Sequence, residues 1–141
     1  LCIPCALRAI SMKVLAVADA NTIVTMTEED YYETYDYTPP GDYEKVISAK
    51  NANSEPYNIV TLPITAEDVQ WLGWRANYLN YYAGNDVVIV PVYGDVMDAE
   101  ALDILGEIYP GKEIIPVDGE ILAVIGGGIH CVTQQQPAAG N

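Results

Sequence analysis

Residues 77–117 read NYLNYYAGNDVVIVPVYGDVMDAEALDILGEIYPGKEIIPV. Two apolar, β-prone runs open this stretch, at 77–82 and 87–92, and the turn-forming residues Gly84-Asn85-Asp86 lie between them. Short runs of this kind around such a turn predict a β-hairpin. An amphipathic helix is predicted next, over 98–109, because apolar side chains recur there every three or four positions.

A third strand completes this unit. Pro110-Gly111 ends the predicted helix, and Glu113–Val117 is the next β-prone run. The same order of strand, strand, helix and strand is predicted upstream, with strands at 13–18, 22–26 and 59–64 and helical segments from Thr27 and over 42–50. Two such units of about 50 residues each predict a tandem α/β fold.

The composition describes an acidic globular chain. Of its 141 residues, 20 are acidic and 6 basic, for a formal net charge of −14, and 50% are hydrophobic. The negative charge argues against nucleic acid and anionic membranes as partners and favours cationic molecules. Ile121–Ile129, the longest nearly uncharged apolar stretch, is too short to span a bilayer. The chain has eleven tyrosines and no phenylalanine. We expect the tyrosine rings to be half-buried, with their hydroxyl groups exposed to water.

The candidate chemistry lies in residues 126–137, which read GGGIHCVTQQQP. Glycines at 126, 127 and 128 allow the backbone to approach a ligand closely or to adopt a positive φ. Cys131 comes shortly after them, where a β-branched run begins. A thiol beside a glycine-rich loop is a candidate nucleophile. The alternative is a small buried hydrophobic residue, the commoner situation for a lone cysteine in an apolar strand.

This string resembles the C-terminal signature of the agmatine deiminase and bacterial-type peptidyl-arginine deiminase family. The similarity is good over 76–137, which includes Tyr78-Leu79-Asn80-Tyr81-Tyr82, and looser over 12–75. The resemblance implies a pentein-type α/β-propeller of five strand-strand-helix-strand modules, of which this chain supplies about two. It further implies that 12–141 is the C-terminal part of a deiminase catalytic domain and that 1–11 is an atypical or truncated edge.

The resemblance also implies a reaction. The Cys131 thiolate attacks the guanidinium carbon of agmatine or of a peptidyl-arginine side chain, ammonia leaves, and water releases a ureido product. With agmatine as substrate, this reaction belongs to putrescine biosynthesis. No metal or organic cofactor is expected, and the partner is a small cationic guanidine or an arginine peptide. The glycines Gly126, Gly127 and Gly128 form the substrate loop.

The other residues of the motif, His130, Thr133 and Gln134, are assigned structural roles. His130 is the single histidine of the chain. If it lies beside Cys131 in a strand, its side chain points to the opposite face, so it is not expected to be the general base.

The chain departs from the family upstream. Family members carry a His-x-Asp motif that supplies the acid/base and a substrate carboxylate, and the best match here is Ala9-Ile10-Ser11. A wrong alignment at this edge, a shifted or engineered start, and a degenerate enzyme are all consistent with these residues. The alternative function is therefore a catalytically inert fragment or relic, and whether this chain is itself an enzyme stays open.

A third hypothesis is a redox or metal module built on Cys2 and Cys5. One C-x-x-C pair with one histidine does not complete a four-ligand zinc site, so metal binding is not expected. If modules are missing, uncovered strand edges favour self-association. The bacterial-type resemblance favours a cytoplasmic location and leaves secretion open.

Overall fold

The computed structural model describes residues 14–35, 38–125 and 127–135. The chain divides into two compact units between Ile64 and Thr65. Each unit contains one three-stranded sheet, so the architecture is mixed α/β with two small sheets. Within the described ranges, no helix combines the length and apolar character needed to cross a bilayer.

The first unit repeats the predicted order of elements. Its elements are β1 (Ala16–Val17), β2 (Thr22–Thr25), α1 (Glu28–Thr34), α2 (Asp42–Ile47) and β3 (Asn58–Thr61). Strand β2 lies between the other two, antiparallel to β1 and parallel to β3. The predicted hairpin and the predicted order of strand, strand, helix and strand are therefore confirmed in this unit.

Local chemistry explains where the first helix begins. Thr27 is the N-cap residue of α1, and its Oγ1 accepts a hydrogen bond of 3.2 Å from the amide of Asp30. The helix then presents acidic side chains in its first turn, where the helix dipole favours negative charge. Tyr31 faces inward from α1, and Ile23 and Val24 of β2 are fully buried.

The second unit has the same order with longer elements. These are β4 (Tyr82–Ala83), β5 (Val87–Val92), α3 (Asp98–Ile108), β6 (Glu113–Asp118), a short helix α4 (Glu120–Val124) and a 3₁₀ turn (His130–Val132). Strand β5 is central, antiparallel to β4 and parallel to β6. Val88 and Val90 of β5 are fully buried, as are Ala101 and Leu105 on the inner face of α3.

Two predicted strands are corrected by the structure. Of residues 77–82, only Tyr82 lies in a strand, and the residues before it make local and side-chain hydrogen bonds instead. Asn77 Oδ1 accepts the amide of Leu79 at 3.1 Å, and the Asn77 carbonyl accepts the Tyr93 hydroxyl at 3.1 Å. The β-branched run around Cys131 is likewise no strand, since 130–132 form the 3₁₀ turn.

Candidate functional site

Cys131 lies in the 3₁₀ turn that follows α4, and its free thiol is exposed to solvent. The turn closes through short-range hydrogen bonds, from the Cys131 amide to the Gly128 carbonyl at 3.1 Å and from the Val132 amide to the Ile129 carbonyl at 3.3 Å. Ile129 is buried beneath the turn. An apolar anchor thus holds the backbone while the sulfur faces outward.

Asn80 is the principal contact of the cysteine. The sulfur lies 3.3 Å from Nδ2 and 3.5 Å from Oδ1 of the Asn80 amide, and the Cys131 backbone amide donates to Oδ1 at 3.3 Å. The Asn80 carbonyl accepts the His130 amide at 3.0 Å. The backbone carbonyl and the side chain of Asn80 therefore both bind the 3₁₀ turn that contains Cys131.

The sequence interpretation assigned Asn80 no role. Asn80 is 51 residues away from Cys131 along the chain, and hydrophobic periodicity carries no information on such a contact. The sequence contained one indication of such a role, because Asn80 is a polar residue that interrupts an apolar run in the segment quoted for the family resemblance.

Gly128 is buried and packs directly against Asn80. A Cβ atom at this position would lie 2.5 Å from Asn80 Cγ, a distance that heavy atoms do not tolerate. At Gly127 a Cβ would lie 3.5 Å from Cys131 Cβ, an ordinary contact. Of the predicted substrate loop, the structure thus places Gly128 against Asn80 and Gly127 beside the cysteine, while Gly126 lies outside the described residues.

The motif neighbours lie around the same turn. The Thr133 hydroxyl donates to the His130 carbonyl at 3.1 Å, and Gln134 is exposed. The His130 side chain is exposed as well. The strand argument for its orientation was wrong, because successive residues of a 3₁₀ turn do not alternate between two faces. The structural role of His130 stays a prediction.

Other sequence hypotheses fall on residues that the structure does not describe. Cys2, Cys5, Ala9 and Ser11 all belong to this part of the chain. Over the described ranges, no cluster of three or more histidine, cysteine or acidic side chains is arranged to hold a metal ion.

The arrangement allows covalent chemistry at an accessible sulfur. The sulfur can form a covalent bond to a bound electrophile, and the side-chain N–H of Asn80 lies within hydrogen-bond distance of it. The amide oxygen of Asn80 is a hydrogen-bond acceptor, so it offers a cationic N–H ligand a contact beside the sulfur.

Comparison with known proteins identifies the same family. The model of the Porphyromonas-type peptidyl-arginine deiminase family matches residues 13–137. A protein of Selenomonas ruminantium, provisionally named as an agmatine deiminase, is 35% identical over 117 residues, covering 69% of this chain and 32% of that protein. The agmatine deiminase of Stutzerimonas stutzeri is 44% identical over 62 residues, which is 44% of this chain and 17% of the relative.

Solved structures share the fold. A crystal structure from Porphyromonas gingivalis, provisionally named an arginine deiminase, matches with a TM-score of 0.74 and 28% identity over 90% of this chain and 38% of its own. The agmatine deiminase of C. jejuni matches with a TM-score of 0.64 and 26% identity over 85% of this chain and 36% of its own. The chain therefore spans less than half the length of these relatives. By its match over 13–137, the chain belongs to the Porphyromonas-type peptidyl-arginine deiminase family.

Proposed function

We propose that this chain contributes the nucleophilic cysteine of a guanidine-hydrolysing deiminase, with Cys131 as the nucleophile. The observation that carries the proposal is the exposed sulfur of Cys131 against the Asn80 amide, in a chain whose family is named for deimination. The substrate class is a cationic guanidine. Agmatine and peptidyl-arginine are both candidates, since both names occur among the relatives.

The proposed reaction proceeds in two steps. The thiolate of Cys131 forms a C–S bond to the guanidinium carbon, and the carbon–nitrogen bond of one terminal nitrogen breaks so that ammonia leaves. Water then adds to the resulting alkylthiouronium carbon, the C–S bond breaks, and the thiolate returns with a ureido product. This chemistry needs a thiolate, water and a group that donates and accepts protons, so the proposal includes no metal or organic cofactor.

Asn80 orients groups in this scheme without moving protons. A carboxamide has no ionisable proton near neutral pH, so its oxygen holds a guanidinium N–H and its nitrogen faces the sulfur. The proton for leaving ammonia must come from another group, as the water proton must go to one. The family resemblance implies that a His-x-Asp motif supplies these groups, and the best match to that motif here is Ala9-Ile10-Ser11.

The larger architecture is part of the same proposal. The two strand-strand-helix-strand units repeat one topology, and they align with deiminase structures. We propose that they are modules of a pentein-type propeller and that 12–141 form the C-terminal part of its catalytic domain. The negative charge of −14 supports a cationic substrate.

The alternative proposal is a catalytically inert chain of deiminase ancestry. The observation that favours it is the Ala9-Ile10-Ser11 sequence, which carries neither the histidine nor the carboxylate of the family motif. Loss of a general acid/base slows catalysis by roughly 10²–10⁴-fold, and loss of a substrate carboxylate adds to that.

Turnover of guanidines by the purified chain distinguishes the two proposals. Agmatine and an arginine peptide would be supplied separately, and ammonia, carbamoylputrescine and citrulline would be measured. A deiminase produces ammonia and the ureido compound in equal amounts, and Cys131→Ala abolishes both. If no guanidine is turned over, the inert alternative holds for this chain.

A labelling experiment tests the role of the cysteine even without turnover. Chloroacetamidine is a cationic alkylating analogue of a guanidine, and chloroacetamide is its neutral counterpart. A cysteine adapted to guanidines should prefer the cationic reagent by roughly tenfold more than free glutathione does, and agmatine should protect it. Equal preference in protein and glutathione would contradict the assignment of Cys131 as a guanidine-directed nucleophile.

A further inference from the structure

The segment 77–81 holds Asn80 without belonging to a helix or strand, so its position depends on side-chain anchors. The residues on either side of the Leu79-Asn80 pair, Tyr78 and Tyr81, are both buried, with exposed fractions of 0% and 4%. Their hydroxyl groups each reach a protein partner. The expectation that tyrosine hydroxyls face water is therefore wrong at these two positions.

The first anchor is a bond from Tyr78 to the first residue of helix α3. The Tyr78 hydroxyl donates to Asp98 Oδ1 at 2.8 Å, and the same carboxylate accepts the amides of Tyr93 at 3.1 Å and Asp95 at 3.1 Å. A carboxylate with three donors has little freedom to rotate. The hydroxyl of Tyr78 is thereby fixed to the start of the helix.

The second anchor joins Tyr81 to the residue that caps the other end of α3. The hydroxyl groups of Tyr81 and Tyr109 lie 2.9 Å apart, and their rings pack edge to face at 5.9 Å. Tyr109 is the C-cap residue of the helix, and the ammonium of Lys112 lies 5.3 Å from the centre of its ring. The partners of Tyr78 and Tyr81 thus lie at the two ends of a single helix of 11 residues, about 16 Å long.

We propose that Tyr78 and Tyr81 are positioning residues, which fasten the Asn80 turn to the two ends of helix α3 and so hold the Asn80 amide against the sulfur of Cys131. Fixing the segment at two points on one helix restricts rotation as well as translation of Asn80. The hydroxyl groups of Tyr78 and Tyr81 bind Asp98 and Tyr109, whereas Asn80 binds the sulfur, so both tyrosines act through Asn80. The functional meaning of this placement rests on the proposed role of Cys131.

The two anchors do not switch with pH in the neutral range. Burial raises the pKa of the Tyr78 phenol far above its ordinary value, and the hydrogen bond to Asp98 adds to this effect. Burial likewise raises the pKa of the Tyr81 phenol, with Tyr109 contributing. Both hydroxyl groups therefore stay protonated wherever the cysteine is assayed.

The test measures how fast iodoacetamide alkylates Cys131 at pH 7.5, by mass spectrometry, in a Cys2→Ser/Cys5→Ser background. Alkylation requires no deiminase activity, so failure of this inference is distinguishable from failure of the proposed function. Tyr78→Phe and Tyr81→Phe remove the hydroxyl groups and keep the rings. We expect each to slow alkylation about twofold and the pair to slow it roughly three- to tenfold, since the amide donor to sulfur is displaced.

The matched control is Tyr43→Phe. Tyr43 is buried in the first unit, and its hydroxyl donates to the neutral Met26 carbonyl at 3.3 Å, so Tyr43→Phe also removes a hydrogen bond of a buried tyrosine. This change should lower the melting temperature while leaving the alkylation rate within about 1.5-fold of the unchanged protein. A comparable loss of rate in Tyr43→Phe would show that alkylation reports only stability and would overturn the inference.

The Asn80→Ala variant tests whether the two tyrosines affect alkylation through Asn80. It should slow alkylation as much as the tyrosine pair, and adding both Phe substitutions to it should change the rate by less than about 1.5-fold. If the two Phe substitutions slow alkylation as much in the Asn80→Ala background as they do with Asn80 present, the tyrosines do not act through Asn80.

A spectroscopic readout covers the case in which the double variant does not fold. The side-chain NH₂ signals of Asn80, assigned by their loss in Asn80→Ala, should move toward those of an unstructured asparagine in each single Phe variant and in Asp98→Asn. If these signals stay in place in all three folded variants, the tyrosines do not position Asn80.

Discussion

At the level of single residues, the geometry of the site depends on how closely Gly128 approaches Asn80. The space beside Gly128 is filled by the Asn80 side chain, whose Cγ, Cβ and Oδ1 all lie within 2.7 Å of where a Cβ would be. The same side chain contacts the sulfur of Cys131. Glycine at 128 is therefore a steric condition for the contact between Asn80 and the cysteine.

Replacing Gly128 by alanine should displace Asn80 and disturb Cys131. We expect Gly128→Ala to lower the free energy of unfolding by about 1–3 kcal/mol, as overpacking does, and to slow Cys131 alkylation severalfold. Gly127→Ala is the matched control, because its Cβ would make only ordinary contacts from 3.5 Å outward. Urea unfolding and iodoacetamide kinetics measure both effects. Equal behaviour of the two variants would contradict the steric account.

The sequence located the cysteine but not its partner. Cys131 and the glycines form one local string, which marks a candidate site, and the family resemblance favours a nucleophile over a small buried residue there. Asn80 contacts them across 51 residues, and its polar side chain was concealed in an apolar run that favours a strand. A contact between distant segments depends on how the turn folds, which local periodicity does not encode.

Among the elements, helix α3 contains one glycine and is followed by another, and the two have opposite requirements. Gly106 lies inside the helix, where a Cβ would meet only Ile114 at 3.8 Å, whereas Gly111 follows the helix with a φ of +85°. Alanine is favoured over glycine in a helix interior by up to about 1 kcal/mol, while a left-handed φ costs an L-residue about 1–2 kcal/mol.

The same substitution should therefore have opposite signs at these two positions. We expect Gly106→Ala to stabilise the fold by about 0.5–1 kcal/mol and Gly111→Ala to destabilise it by about 1 kcal/mol. Thermal unfolding followed by circular dichroism measures both. Destabilisation by Gly106→Ala would mean that the open cleft formed by Leu102, Asp103, Gly106, Glu107 and Ile114 is less accommodating than its geometry indicates.

The loop after β5 is held by Asp95. Its carboxylate accepts the amides of Ala66 and Met97 at 2.9 Å and of Glu67 at 3.3 Å. Burial alone would raise the pKa of this group, but these backbone donors lower it below 3.8. Because the folded-state pKa lies below the unfolded one, the stabilisation is complete above the unfolded value and is lost as pH falls through the folded value.

Replacing Asp95 by asparagine should remove this pH-dependent part of stability. At about pH 7 we expect Asp95→Asn to lower the free energy of unfolding by about 1–2 kcal/mol, because the amides lose a charged acceptor. Below pH 3.8 the difference between the two proteins should shrink toward zero as the carboxyl group takes up a proton. Urea unfolding across this range measures it, and a constant difference would contradict the assignment.

Most elements could be predicted from the sequence because their patterns are local. The hairpin of the first unit, the cap at Thr27, strand β5 and helix α3 follow from β-branched runs, a capping hydroxyl and spacing of three to four residues. The path of residues 77–81 could not be predicted, since buried tyrosines and a leucine fit a strand as well as they fit the observed irregular segment. There the hydroxyl bonds of Tyr78 and Tyr81 decide the backbone path.

For the whole molecule, the repeated topology means that each unit has its own core. A central strand pairs antiparallel on one side and parallel on the other in both sheets. The units differ in extent, because β5 and β6 pair over six residues whereas β2 and β3 pair over four. Longer pairing and a longer helix give the second unit more backbone that is protected from water.

Substitutions in the two cores should therefore loosen different parts of the chain. Val24 and Val90 are both fully buried in the central strands of their sheets, so Val→Ala at each removes about 2 kcal/mol. We expect Val24→Ala to accelerate hydrogen–deuterium exchange chiefly over 14–64, and Val90→Ala over 65–135, because local opening follows cooperative units. In the unchanged protein, the amides of β5 should exchange more slowly than those of β2. Acceleration spread evenly over both units by either substitution would show instead that the chain opens as one body.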